Sequence, residues 1–127
     1  MRQSVFALIG DMCSRCFPVL EEKLNDIIKD VFLNADPKNP NVSVSVANNA
    51  IWALGEISIR KSETVKPFIP EIVSKIVEVL MRNQLSQRHL LENIAVCIGR
   101  LALISPNDVV QYIPHILPIW YKKFFYF

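Results

Sequence analysis

Three stretches of this chain repeat one another at nearly constant spacing, which limits its possible folds more than any other feature. They are SVFALIGDM, AIWALGEIS and NIAVCIGRL, whose glycines Gly10, Gly55 and Gly99 stand 45 and then 44 residues apart. The register extends well past the glycines. Leu24, Ile69 and Ile113 correspond, as do Ile27, Ile72 and Ile116, then Ile28, Val73 and Leu117, then Val31, Ile76 and Trp120. The tripeptide Phe68–Pro70 (FIP) returns as Tyr112–Pro114 (YIP). A unit of this size cannot bury its apolar face alone and must stack on its neighbours.

A period of about 40–47 residues built from two helices is the mark of HEAT or armadillo arrays. One helix type is expected over Met1–Cys16, Ser43–Ile59 and Arg88–Ile104, and the other over Pro18–Leu33, Lys66–Arg82 and Asp108–Phe127. Pro18, Pro67 and Pro106 stand near the starts of the second type, where a missing N–H costs little. Asn34–Ser43 reads as a long loop and Arg82–Arg88 as a shorter polar turn. The expected fold is all-α: a right-handed superhelical HEAT solenoid of antiparallel helix pairs, about three repeats long. The whole chain, 1–127, is then one array. Its repeats would be 1–16 (second helix only), 17–60, 61–105 and 106–127 (first helix only).

Composition narrows the function. The 127 residues are 51% hydrophobic, and 14 Lys and Arg against 12 Asp and Glu leave a net charge of +2. That balance gives no ground for direct nucleic-acid or anionic-membrane binding. No apolar run nears the ~20 residues that span a bilayer, and Asp11 interrupts the apolar opening that might pass for a signal peptide. Three cysteines suit a reducing compartment better than a disulfide framework. The CSRC stretch, Cys13–Cys16, has metal spacing but no second pair; both thiols are expected on the core side of their helix. His89 falls on the second-helix face described below and His115 at a surface; neither has a ligand cluster beside it. No phosphate loop, nucleophile elbow or carboxylate dyad is visible, so neither catalysis nor a cofactor is expected.

Trp52, in NNAIWALGEIS, carries the functional question. On a helix it shares a face with Ser45, Asn48, Asn49, Glu56 and Ile59. Ala47, Ala50, Leu54 and Ile57 lie opposite, with Val46 and Ala53 flanking, and form the core seam. Trp52 therefore projects from the polar side, and its removal should cost little stability. Its equivalents one repeat away are Ala7, beside Gln3, Ser4, Asp11 and Ser14, and Val96, beside His89, Glu92, Asn93 and Arg100. Equivalent helices stack side by side, so Ala7, Trp52 and Val96 form an apolar track fringed by amides and carboxylates. Aromatics among polar groups are the usual anatomy of a binding hot spot. Packing against a loop or a neighbouring helix is the other reading of Trp52.

The segments RQSVFALIGDM, NNAIWALGEISI, PFIPEIV and LLENIAVCIGRLAL resemble, in order and spacing, C-terminal HEAT repeats of the transportin branch of the importin-β (karyopherin) family. The resemblance covers nearly the whole chain. It implies a nuclear import receptor that shuttles between cytoplasm and nucleus and holds cargo on a concave face lined by second helices. The cargo element implied is the basic or hydrophobic upstream part of a proline-tyrosine nuclear localisation signal. Its contacts would be Trp52, Val96 and Val44, flanked by Asn48, Asn49 and Asn93. Asparagine amides there can pair with peptide backbone, and Asp11, Glu56 and Glu92 favour a basic segment, partly offset by Arg100. Ran GTPase would engage parts of such a receptor that lie outside this chain. The loop Asn34–Ser43 is longer and richer in proline than the family pattern, and Glu21–Asp26 lacks the proline that Pro70 and Pro114 supply later. A HEAT scaffold that assembles proteins without carrying cargo is the alternative.

The aromatic end, Trp120, Tyr121, Phe124, Phe125, Tyr126 and Phe127, is the reverse of a polar capping helix. It implies a fragment of a longer array whose last aromatics are disordered, adhesive or covered by another copy. Trp120, at a seam position, should behave as a core residue, unlike Trp52.

Overall fold

The computed structural model describes residues 1–35, 40, 42–81 and 88–125, without the side chains of Phe32 and Phe124. Half of the Asn34–Ser43 loop and most of the Arg82–Arg88 turn, together with Tyr126 and Phe127, lie outside the described residues. Among the described residues there are eight α-helices and no strand. They are α1 (Arg2–Arg15), α2 (Leu24–Asn34), α3 (Val44–Arg60), α4 (Ser62–Val65), α5 (Ile69–Met81), α6 (Arg88–Ile104), α7 (Pro106–Val110) and α8 (Ile113–Phe125).

The glycine-bearing helices α1, α3 and α6 are unbroken and close to their expected bounds. The other type is interrupted at its start. A 3-10 turn over Phe17–Val19, another over Glu21–Lys23 and a third over Lys66–Phe68 precede α2 and α5, and α7 precedes α8. Pro18 and Pro67 are the second residues of their 3-10 turns, and Pro106 is the first residue of α7. Ser105, just before Pro106, is held at φ −141° and ψ 78°, outside the helical region, as the following proline ring requires. At the start of α3, the Ser43 hydroxyl accepts a hydrogen bond from the Val46 N–H at 3.3 Å and caps the helix. Pro118 lies inside α8 and cannot donate to the carbonyl four residues back.

The helices α1, α3 and α6 lie side by side and run in one direction. Asn49 reaches the Gln3 carbonyl and Arg60 reaches the Ser14 carbonyl, both across 46 residues. Asn93 reaches Asn48 across 45, and Arg100 reaches Glu56 across 44. Separations that stay constant along the helices require parallel neighbours. The first-type helices fold back on this row, α2 against α3 and α5 against α6, as an all-α HEAT array does.

Burial follows the repeat. Ala47, Ala50, Leu54 and Ile57 of α3 are buried, and so are Val46 and Ala53. Leu24, Ile28 and Val31 of α2 and Ile69, Ile72, Val73 and Ile76 of α5 close the other side. In the last copy Leu117 is exposed, although Ile28 and Val73 at the same position are buried. Trp120 packs on the core but is only half-buried, and its indole N–H is buried with no acceptor among the described residues. Tyr121 and Phe125 are exposed and stack on one another at 4.9 Å.

The cysteines correct the sequence expectation. Cys13 is buried, but Cys16 is exposed because it is the residue that ends α1, with φ −142° and ψ 45°. A side chain there no longer follows the helical register. Burial, followed by the Glu56 charge, pushes the Cys13 thiol from 9.0 up to about 11. Burial alone pushes Cys97 up to about 12, against a smaller opposing pull from Arg100. Both raised values favour the neutral thiol in the folded state. Their contribution is therefore complete below pH 9.0 and is lost as pH rises through about 11 and then about 12. Near pH 8, where thiolate fraction and access set the rate, we expect a chromogenic disulfide reagent to modify one thiol rapidly in the native chain. Denaturant should release the other two. Two fast thiols would place Cys13 or Cys97 at the surface.

Candidate functional site

The polar face of the parallel row carries three layers of side chains. Nearest the helix starts is a chain of amides. The Asn93 amide donates to Asn48 Oδ1 at 3.0 Å, Asn48 donates to Asn49 Oδ1 at 3.2 Å, and Asn49 donates to the Gln3 carbonyl at 2.9 Å. These bonds cross from α6 through α3 to α1. The three asparagines are thus turned toward one another. Each amide still has one N–H, and each carbonyl has a lone pair to offer.

One turn further along lies the apolar layer. Trp52 and Ala7 are half-buried and Val96 is 49% exposed, while Val44, 39% exposed, precedes the amides as the first residue of α3. The Trp52 ring does not stand free. Its benzo edge lies over the backbone of α1 at Gly10, so near that a Cβ there would come within 2.2 Å of Cζ3 and 2.5 Å of Cε3. The binding and packing readings of Trp52 thus share one side chain, part seated on α1 and part open. Its loss should cost more stability than an isolated surface ring, though less than the ~3–5 kcal/mol of a fully buried tryptophan.

The third layer is charged. Arg100 donates to Glu56 at 2.8 Å, with side chains only 26% and 14% exposed, and its guanidinium lies 3.1 Å from where a Cβ on Gly55 would be. Outside this layer, in the first turns of α6, Glu92 pairs with Arg88 at 2.8 Å and lies 3.6 Å from His89. Asp11 is exposed and makes no ion pair among the described residues. Of the three carboxylates expected to draw a basic ligand, Asp11 is the one with its charge uncompensated.

No cluster of three or more metal-ligating side chains occurs among the described residues, and no helix there is long and apolar enough to cross a membrane.

No family model matches the chain. Over 94% of its length it is 36% identical to Transportin-1 of Mus musculus and of Homo sapiens. It is 37% identical, over 93%, to Transportin of Dictyostelium discoideum, and 31% identical, over 98%, to Importin subunit beta-2 of Schizosaccharomyces pombe. The chain matches a transportin segment. It spans only about 13% of the length of these relatives.

In this transportin-like segment, Trp52, Asn48, Asn49, Glu56, Ala7, Asp11, Val44, Val96 and Asn93 all lie on the three parallel helices. Direct contacts join the asparagines to one another, Glu56 to Arg100, and Trp52 to Gly10. Sequence reasoning missed Gly10 and the Gln3 carbonyl as parts of this surface. The signal for Gly10 was present in the repeat itself, as a glycine kept at one register in all three second helices. The Gln3 carbonyl, a backbone group, leaves no trace in residue identity.

If the amides form one chain, Asn48→Ala and Asn93→Ala should each destabilise by about 1 kcal/mol. The double variant should then cost less than the sum by ~0.5 kcal/mol or more, since both delete the same bond. Additive losses in a denaturant-melting cycle would mean that the bond between them contributes nothing.

Proposed function

We propose that this chain is part of a nuclear import receptor and that the track Ala7–Trp52–Val96 binds a nuclear localisation signal of cargo. The element it suits is a basic and hydrophobic stretch of extended peptide, such as the upstream part of a proline-tyrosine signal. The half-open indole of Trp52, on a helical array similar to transportin, is the observation that carries this reading. An exposed part of an aromatic ring takes aliphatic or guanidinium groups by stacking. Val44 and Val96 extend the apolar surface on either side. The remaining donors and acceptors of Asn48, Asn49 and Asn93 suit a peptide backbone, and exposed Asp11 gives the fringe its negative character, with Glu56 behind it paired to Arg100. Receptors named importin and transportin move between cytoplasm and nucleus, and the same location is proposed here; Ran GTPase would be met by other repeats.

One observation favours a second reading, a HEAT scaffold without cargo. Asn48, Asn49, Asn93 and Glu56 all spend hydrogen bonds on neighbouring helices. A face organised that way also serves simple repeat stacking.

Titration with a basic-hydrophobic signal peptide separates the two. Binding should shift or quench Trp52 emission, and Trp52→Ala should weaken affinity by about 2 kcal/mol or more, as hot-spot tryptophans do. Equal affinity for Trp52→Ala, or no binding by the unaltered chain, would favour the scaffold.

A further inference from the structure

We propose that Gly10 is a positioning residue for Trp52: the bare backbone of α1 seats the indole and so fixes which part of it is offered to a ligand. This rests on the reading of Trp52 as a peptide contact. The geometry is specific to this glycine. A Cβ at Gly10 would meet three atoms of one ring, Cζ3 at 2.2 Å, Cε3 at 2.5 Å and Cη2 at 2.7 Å. At Gly55 the nearest atom is a terminal nitrogen of Arg100 at 3.1 Å, the end of a flexible chain, and at Gly99 nothing lies within 4 Å. One register position thus has three occupants: a rigid ring, the end of an arginine side chain and open space.

None of these glycines has a positive φ, so backbone strain does not select them. Room for the neighbour does. Ordinary carbon contact needs about 3.5 Å, so alanine at position 10 would drive the ring off its seat by roughly 1.3 Å or more. A fused ring cannot bend away; it must turn about its side-chain torsions, which changes the surface it presents. An anchor already held in place also loses less freedom on binding than a free one.

The test uses the full chain carrying Trp120→Phe, so that Trp52 is the only indole. Gly10→Ala should change the near-ultraviolet circular dichroism of Trp52 and raise its quenching by acrylamide. It should also weaken the basic-hydrophobic signal peptide by about ten-fold, the order expected when a preorganised anchor is displaced. Gly99→Ala should leave the spectrum and the affinity unchanged. In a Trp52→Ala background, Gly10→Ala should alter affinity by less than about two-fold, because no ring remains to be moved. An unaltered indole signal in Gly10→Ala, or peptide affinity that is unchanged or tighter there, overturns the proposal. If Trp52→Ala alone leaves affinity unchanged, the peptide reading fails, while the indole spectrum of Gly10→Ala still decides the seat. Should Gly10→Ala prevent folding, recovery of the fold by adding Trp52→Leu supports the seat, and no recovery overturns it.

Discussion

Three helices can run in a parallel row only if the flanks they turn to one another carry little bulk, because helix axes at 8–10 Å leave no space for two large side chains at one level. The row α1, α3, α6 meets that condition with Gly10, Ala47, Ala50, Ala53 and Gly55, all buried. Where the flank falls to bare backbone, the neighbour lays a large side chain across it: Trp52 over Gly10 and Arg100 over Gly55. The larger aliphatic residues, Leu54, Ile57, Ile94 and Leu101, are buried in the same core, whose other wall is α2 and α5. The division between small seam and large core explains why the repeat is legible at all. Both sets of positions are fixed by the same 3.6-residue geometry.

The polar face obeys a similar economy. An amide row between parallel helices satisfies groups that the close approach would otherwise strip of water, and leaving one unpaired costs ~1–3 kcal/mol. The Glu56–Arg100 pair is partly sheltered, so its charges are less screened than those of Arg88 and Glu92 at the rim. Fixing these charges between helices reduces what they can give to a ligand. Asp11, exposed and without an ion pair among the described residues, keeps its full field.

The helix order, the seam of α3 and the parallel row could be read from the glycine spacing, because each expresses one period repeated along the chain. The described span of α6, Arg88–Ile104, coincides with the expected one because the apolar period of this run is long and unbroken. The second-type helices were not read as well. Their prolines mark where helical turns begin, but nothing in the one-dimensional pattern shows that α2, α5 and α8 start only at Leu24, Ile69 and Ile113, after 3-10 turns or the short α7. Cys16 was misplaced for a related reason: periodicity assigns a face only while the helix lasts, and α1 ends one residue earlier. The seat of Trp52 depends on the distance between two helices, which sequence period does not encode.

Trp52 looked like a choice between packing and binding because the wheel gives a residue only one direction. Indole is large enough to have both. With its benzo edge against α1, the ring loses rotational freedom to folding instead of to a ligand, and its remaining surface stays available. A tryptophan with no seat on that face would tend to fold down onto any apolar surface within reach, and a fully sunken one would have nothing left to offer. The half-buried state is the one in which a single side chain serves repeat stacking and still presents ring surface. In such an array, a change in how two repeats pack alters the surface that Trp52 presents directly, without any intervening pathway.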